Sequence, residues 1–343
     1  MRTIDWNDSK NNIVMIDQTL LPGEYKVIEC NTTDALCEAI KTLRVRGAPA
    51  LGAAGGFGVA LSAFQSNASL LDILLEDVQT ASNTIIATRP TAVNLSWGVK
   101  RTLNAIEDAN NVKEARSFAL DEAKTIADED VEKNMKLGEH GAALLEDGDT
   151  VMTHCNAGRL ACVDWGTALG VIRSARALGK DIKVISCETR PLNQGSRITT
   201  WELMEDKIPV TLITYSMSGH VMRKGMVDSV IVWADRITQD SVFNKIGTYT
   251  HSVIAKEHNV PFYVAAPVST FDFERFEDEI EIELRNPEEL KFFGKHQIAP
   301  LGVNVYNPAF DATPMEYVTA IITENGIFNP PFLLDEVKIK GQF

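Results

Sequence analysis

Five runs of strand-forming residues, each followed by a stretch long enough for a helix, lie between residues 150 and 266 of this chain: residues 150–154, 182–186, 210–214, 229–234 and 262–266. Parallel strands need crossover connections of a dozen or more residues, and right-handed crossovers wind such a rhythm into an open sheet covered on both faces. The expected fold class is therefore α/β, with a Rossmann-like, doubly wound parallel sheet. Such sheets present their chemistry at the carboxyl ends of the strands. Two of the runs stop there on a reactive side chain, Val151-Met-Thr-His-Cys155-Asn-Ala-Gly158 and Val230-Ile-Val-Trp-Ala-Asp235-Arg236. A thiol and a carboxyl are being presented.

Ahead of this region the chain reads as mixed strands and helices. Residues 26–30 alternate like a strand, and residues 33–43 suit a helix opened by a capping threonine, Thr33. Arg46-Gly-Ala-Pro49 opens a run of small residues over 50–61, where Pro49 fits a first helical turn and the glycines and alanines permit close helix packing. Residues 112–145 form an acidic amphipathic pattern, one helix or two. The expected division is a smaller N-terminal mixed α/β domain, residues 1–115, and a Rossmann-like catalytic domain, residues 116–343. One more helix is expected over residues 314–325, in a tail rich in turn residues.

The net charge of −14 argues against a nucleic-acid surface or an anionic membrane as partner, since neither is attracted by the overall field. No apolar stretch has signal-peptide or membrane-spanning length, and a cytoplasmic location is expected. Five cysteines without a CxxC pair give neither a zinc knuckle nor a disulfide framework and point to a reducing compartment. There is no phosphate loop of the Gly-x-x-x-x-Gly-Lys-Ser/Thr kind and no Gly-x-Gly-x-x-Gly after a strand, so no bound nucleotide, and no cofactor or metal, is expected. Gly52-Ala-Ala-Gly55-Gly56-Phe-Gly58 reads as helix packing instead of a nucleotide loop. A dyad of His154 with Cys155 is disfavoured because neighbouring strand residues point to opposite faces.

Across nearly its whole length the sequence resembles the methylthioribose-1-phosphate isomerase family, the aldose–ketose isomerases of methionine salvage. The resemblance is carried by Val45-Arg46-Gly47-Ala48-Pro49-Ala50, Arg89-Pro-Thr-Ala-Val-Asn94, Thr153-His-Cys155-Asn-Ala-Gly158, Gly166-Thr-Ala-Leu-Gly170, Glu188-Thr-Arg190-Pro-Leu-Asn-Gln194-Gly195, Ala234-Asp235-Arg236-Ile237 and Asn244-Lys245-Ile-Gly-Thr-Tyr249. It implies that Asp235 donates a proton and that Cys155 assists the transition state. It further implies that Arg46, Gly47, Ala48, Arg89, Gln194, Asn244 and Lys245 bind a small sugar phosphate, and that the working form is a homodimer. Ribose-1,5-bisphosphate isomerase and the regulatory subunits of translation initiation factor 2B share the superfamily, so an enzyme for a second phosphorylated sugar and a non-enzymatic scaffold stand as alternatives.

The chemistry agrees with these roles. A sugar 1-phosphate is locked in its ring by the esterified anomeric oxygen, so ketose formation needs an acid at the ring oxygen. Asp235 follows five apolar residues, and desolvation there is expected to raise its pKa. Cys155 precedes a helix expected to begin near Ala157, whose dipole would favour the thiolate. It acts either as a base or as a charge stabiliser while a hydride shifts. The amides at Gly47-Ala48 and Gly247-Thr248 are candidate phosphate cradles. Blander readings exist: Cys155 as a buried small hydrophobe, Asp235 paired with Arg236, Glu188 paired with Arg190. Departures from the bacterial pattern fall at Cys187, Tyr215 and Trp233. Trp233, two residues before Asp235, is expected on the same strand face, narrowing the pocket.

Overall fold

Alternating apolar residues pair β1 (Ile4–Asn7), β2 (Asn12–Ile16) and β3 (Val27–Cys30) into an antiparallel sheet that turns Ile4, Ile13 and Met15 into a core. The helix α1 (Thr33–Lys41) is capped by Thr32, one residue earlier than expected, whose hydroxyl accepts the Ala35 N–H at 3.1 Å. Next comes α2 (Ala48–Gln65), buried at every residue from 50 to 63, then α3 (Leu71–Ile86) and α4 (Val93–Ile106). Close packing is what the small residues serve: a Cβ added at Gly98 of α4 would lie 2.0 Å from the Gly52 carbonyl oxygen of α2. The acidic pattern resolves into one helix of 31 residues, α5 (Val112–Ala142).

The computed structural model describes residues 2–333 and residue 337. The chain forms two compact units, Met1–Asn134 with Ala157–Gly166, and Met135–Asn156 with Thr167–Phe343. Among the described residues no helix is long and apolar enough to cross a membrane, and Cys30, Cys37, Cys155, Cys162 and Cys187 are free and buried.

The second unit is built on β4 (Thr150–Thr153), α6 (Ala168–Ala177), β5 (Lys183–Cys187), α7 (Thr200–Glu205), β6 (Val210–Ile213), α8 (Ser218–Arg223) and β7 (Ser229–Val232). After a hairpin of β8 (Arg236–Ile237) and β9 (Ser241–Lys245) come α9 (Thr248–Glu257) and β10 (Phe262–Ala265). A short helix α10 (Glu288–Lys291) leads to the small hairpin β11 (Phe292–Phe293) and β12 (His296–Gln297), then β13 (Phe310–Pro314), β14 (Ala320–Thr323) and β15 (Gly326–Phe328). The seven-stranded sheet runs β15-β14-β10-β7-β4-β5-β6, parallel except for β15. Its parallel strands follow the doubly wound order expected from the sequence. From β4 the chain winds outward through β5 and β6, then returns to β7 on the other side, so the topological switch point lies between β4 and β7.

The tail differs from expectation. Residues 314–325 are not a helix: Pro314 closes β13, Met315–Tyr317 form one 3-10 turn, and the β-branched run in β14 pairs in parallel with β10. A short apolar run has no periodicity that separates a buried strand from a buried helix, and here the open edge of β10 decides.

Candidate active site

Cys155 and Asp235 follow the two neighbouring strands that flank the switch point, β4 and β7. Cys155 is buried and adopts a left-handed backbone with φ of +65°, a conformation that is uncommon for a residue with a Cβ. Its N–H donates to Thr189 Oγ1 at 2.8 Å, and its carbonyl accepts from Thr199 Oγ1 at 2.6 Å. The helix expected near Ala157 is absent. Residues Arg159–Ala161 make a single 3-10 turn, and α6 opens only at Ala168, so no α-helix dipole is aimed at the thiol from that position. A local bridge of Gly158 with Gly166 closes this segment into a turn instead.

Asp235 is exposed, against the expectation of an apolar, desolvated carboxyl. The physical reason is that β7 ends at Val232, so side-chain alternation does not extend to residue 235, and the Asp235 N–H is taken by the Phe243 carbonyl at 2.8 Å. For the same reason Trp233 shares no strand face with Asp235. Trp233 is buried, and its indole N–H has no protein partner. The two suggested ion pairs are replaced: Arg236 pairs with Asp272 at 2.8 Å, and Arg190 donates to the carbonyls of Pro191 and Glu289.

Three of the expected ligand residues lie in this unit, and two of them have polar atoms unsatisfied. Asn244 is fully buried and neither of its amide atoms is hydrogen-bonded, and Gln194 Oε1 is likewise buried without a partner. A buried amide left unpaired costs about 1–3 kcal/mol, so such atoms mark where a ligand would supply the missing bonds. Lys245 is buried beside the Phe310 ring, its Nζ 4.6 Å from the centroid. Burial lowers its pKa from the ordinary value. A thiolate at Cys155 opposes the shift, Arg285 adds to it, and Asp235 and Glu283 oppose it. The ammonium is therefore near enough to Cys155 and to Asp235 for their charges to act on it.

The Gly247-Thr248 amides are not open to a phosphate. Asp311, from β13, accepts the Gly247 N–H at 2.7 Å and the Tyr249 N–H at 3.2 Å, capping α9; burial raises its pKa to about 6. In the first unit no side chain caps the other cradle among the described residues. Gly47 caps α2 with no side-chain hydrogen bond and a φ of +93°, and a Cβ there would lie 2.3 Å from the Ala161 carbonyl oxygen, so only glycine fits. Arg46, half-buried beside it, donates from Nε to Gln18 Oε1 at 3.1 Å; Arg89 is half-buried and makes no side-chain hydrogen bond or ion pair among the described residues.

His154 does not serve Cys155. Its Nε2 faces the Ile246 carbonyl oxygen at 2.9 Å and its Nδ1 faces His251 Nε2 at 3.2 Å; burial pushes its pKa down to about 4. His154, His251 and Cys187 hold their donor atoms within 4.8 Å of one another and are the described group that could take a metal ion. His154 has both ring nitrogens occupied, by Ile246 and His251, whereas His251 Nδ1 is buried without a partner, and burial pushes the Cys187 thiol up to about 12. An open cavity of about 630 Å³ lies elsewhere, lined by Asp240, Phe243, Phe276, Glu277, Asp278 and Ile280 among others. Its three carboxylates would repel a phosphate.

A family model described as the initiation factor 2 subunit family matches residues 44–330. The chain belongs to that family. Within it, a relative from Methanosarcina acetivorans, named provisionally a methylthioribose-1-phosphate isomerase, is 67% identical over 339 residues, covering 99% of this chain and 97% of its own. The crystal structure of 5-methylthioribose 1-phosphate isomerase from Pyrococcus horikoshii OT3 superposes with a TM-score of 0.94 at 43% identity, over 98% of this chain and 96% of that one. A chain from A. fulgidus, titled translation initiation factor eIF-2B, subunit delta, superposes at 0.93 with 60% identity and covers 99% of both. The fold thus appears under two functional names, and the site has to separate them.

Thr189 and Thr199 are not among the site residues expected from the sequence. Thr189 lies inside the Glu188 to Gly195 motif, which was the available signal. Thr199 carries none.

Proposed function

We propose that this protein is an aldose–ketose isomerase that converts 5-methylthioribose 1-phosphate to the ketose 1-phosphate, a step of methionine salvage. The observation that supports this reading most is the group at the switch point: Cys155 and Asp235 follow adjacent strands and both act on a buried lysine, and the same unit holds buried atoms of Asn244 and Gln194 that lack protein partners. A purely structural scaffold has no use for the unpaired atoms of Asn244 and Gln194.

Asp235 delivers a proton to the ring oxygen, the bond from that oxygen to the anomeric carbon breaks, and hydrogen then moves from the second carbon to the first as the second becomes a carbonyl, its hydroxyl proton returning to the Asp235 carboxylate. Because Asp235 is exposed in the free protein, the apolar surroundings that favour a protonated carboxyl come with the bound sugar, whose ring and thioether cover it. Cys155 assists the hydrogen transfer, as base or as stabiliser of charge. Gln194, Asn244 and Lys245 bind the sugar phosphate, as do Arg46, Gly47, Ala48 and Arg89, the arginines through forked donors and the α2 terminus through its amides. We expect the working form to be a homodimer in the cytoplasm, where the five free thiols stay reduced.

The test of the reaction is turnover across 5-methylthioribose, 5-deoxyribose and 5-phosphoribose 1-phosphates. The test of the binding roles uses calorimetry with the ketose phosphate product. Lys245→Ala and Arg89→Ala are each expected to weaken binding about tenfold or more, from the loss of a charge-assisted contact worth roughly 1.5–3 kcal/mol. A variant that binds normally but melts early is structural instead.

A further inference from the structure

We propose that Thr189 and Thr199 are positioning residues that clamp the backbone of Cys155 in its left-handed conformation and thereby aim the thiol. The inference rests on the reading of Cys155 as a reacting group and adds how the fold holds it. A residue's φ and ψ are set by where its own N–H and C=O point. Both groups of Cys155 are held by a threonine hydroxyl, the N–H by Thr189 at 2.8 Å and the C=O by Thr199 at 2.6 Å. With both fixed, the direction of the Cα–Cβ bond is fixed as well, and a φ of +65° that the chain would otherwise leave becomes the only one available.

Each hydroxyl is itself anchored. Thr189 donates to the Cys187 carbonyl at the end of β5, at 2.9 Å, and has a left-handed φ of +65° of its own. That is a rare conformation for a β-branched residue and one that persists only where the surroundings impose it. Thr199 closes the π-helical stretch Gly195–Thr199 that runs into α7, and its oxygen also accepts from Asn156 Nδ2 at 3.1 Å. Asn156 Nδ2 reaches Glu202 Oε1 at 2.9 Å, and Glu202 Oε2 is bound by Arg173 Nη2 at 2.8 Å, which also pairs with Asp206. Thr189, Thr199, Asn156 and Glu202 are all fully buried, so water does not compete for these bonds, and an ion pair of α6 with α7 stands behind the thiol's backbone. Helical π turns and non-glycine left-handed residues gather at sites where a side chain must be presented in one direction.

Thr199→Val removes one clamping hydroxyl and keeps the shape. It is expected to lower kcat at least tenfold with KM within about twofold, and to quicken alkylation of Cys155 by iodoacetamide, followed by mass spectrometry, as the backbone relaxes. Thr199→Ser, which keeps the hydroxyl, is expected to restore kcat to within about threefold of the parent. Thr189→Val, which releases the N–H side, is expected to repeat the kcat loss and stands in should Thr199→Val fail to fold. Parent-like kcat in a folded valine variant, a loss confined to KM, or failure of serine to rescue would each overturn the clamp. Cys155→Ser in the same assay keeps the two readings apart. If it retains turnover, the role of Cys155 falls and the clamp with it. If it is inactive while Thr199→Val is fully active, only the clamp falls.

Discussion

Asp235→Asn is expected to leave a folded protein that still binds the sugar phosphate but turns it over about 10²–10⁴-fold more slowly, the usual worth of a positioned general acid. The amide has the shape of the acid, and the backbone bond from residue 235 to the Phe243 carbonyl at 2.8 Å is untouched by the change. The loss should therefore fall on kcat and kcat/KM together, because the proton transfer removed belongs to the transition state. The exposure of Asp235 adds a second expectation. If bound sugar supplies the apolar cover, the alkaline limb of kcat, which reports the substrate complex, lies at higher pH than that of kcat/KM, which reports the free enzyme. Coincident limbs would mean that the free protein already sets the state of this carboxyl. Near-parental turnover would remove Asp235 from the chemistry.

Cys155→Ser is expected to cost about as much. A hydroxyl is a poor base near neutrality and a less polarisable neighbour for developing charge, whereas the fold loses little, since the two threonines hold the backbone of residue 155 and not its sulfur. Lys245 gives the variant a further signature. A thiolate at residue 155 works against the burial that depresses the Lys245 pKa, so a variant without the thiol lets that depression grow. Reactions in deuterium oxide then assign the thiol's part. Deuterium appearing at the first carbon of the product makes Cys155 a base, and its absence makes Cys155 a stabiliser of charge during a direct hydride shift.

The residues that could be read from the sequence are those whose signal is local. Val151 to Thr153 form a strand by composition and end on Cys155; Val230 to Val232 do the same before Asp235, and the lengths between runs force crossovers. That is enough to give the sheet its class and to put two reactive groups at its carboxyl edge. What escaped depends on partners far along the chain. Asp311 closes the α9 terminus from 64 residues beyond Gly247, so an anion site that looks open in sequence is occupied. The strand β14 is a strand because β10 offers it an edge. The exposure of Asp235 follows from β7 ending at Val232, short of the expected run 229–234, and element ends are what local pattern fixes least well. Thr199 acts on Cys155 across 44 residues, through a π turn that no spacing announces.

The most direct measurement is phosphorus NMR of purified protein with 5-methylthioribose 1-phosphate and no added metal or nucleotide. The aldose phosphate bears one hydrogen on its first carbon and the ketose phosphate bears two. Isomerisation therefore converts a proton-coupled doublet into a triplet at the same total phosphate. The account predicts that conversion for the parent protein and its loss in Asp235→Asn. A doublet that persists with the parent protein at stoichiometric concentration, for the methylthio, deoxy and phosphate sugars alike, would contradict it and leave the scaffold reading in its place.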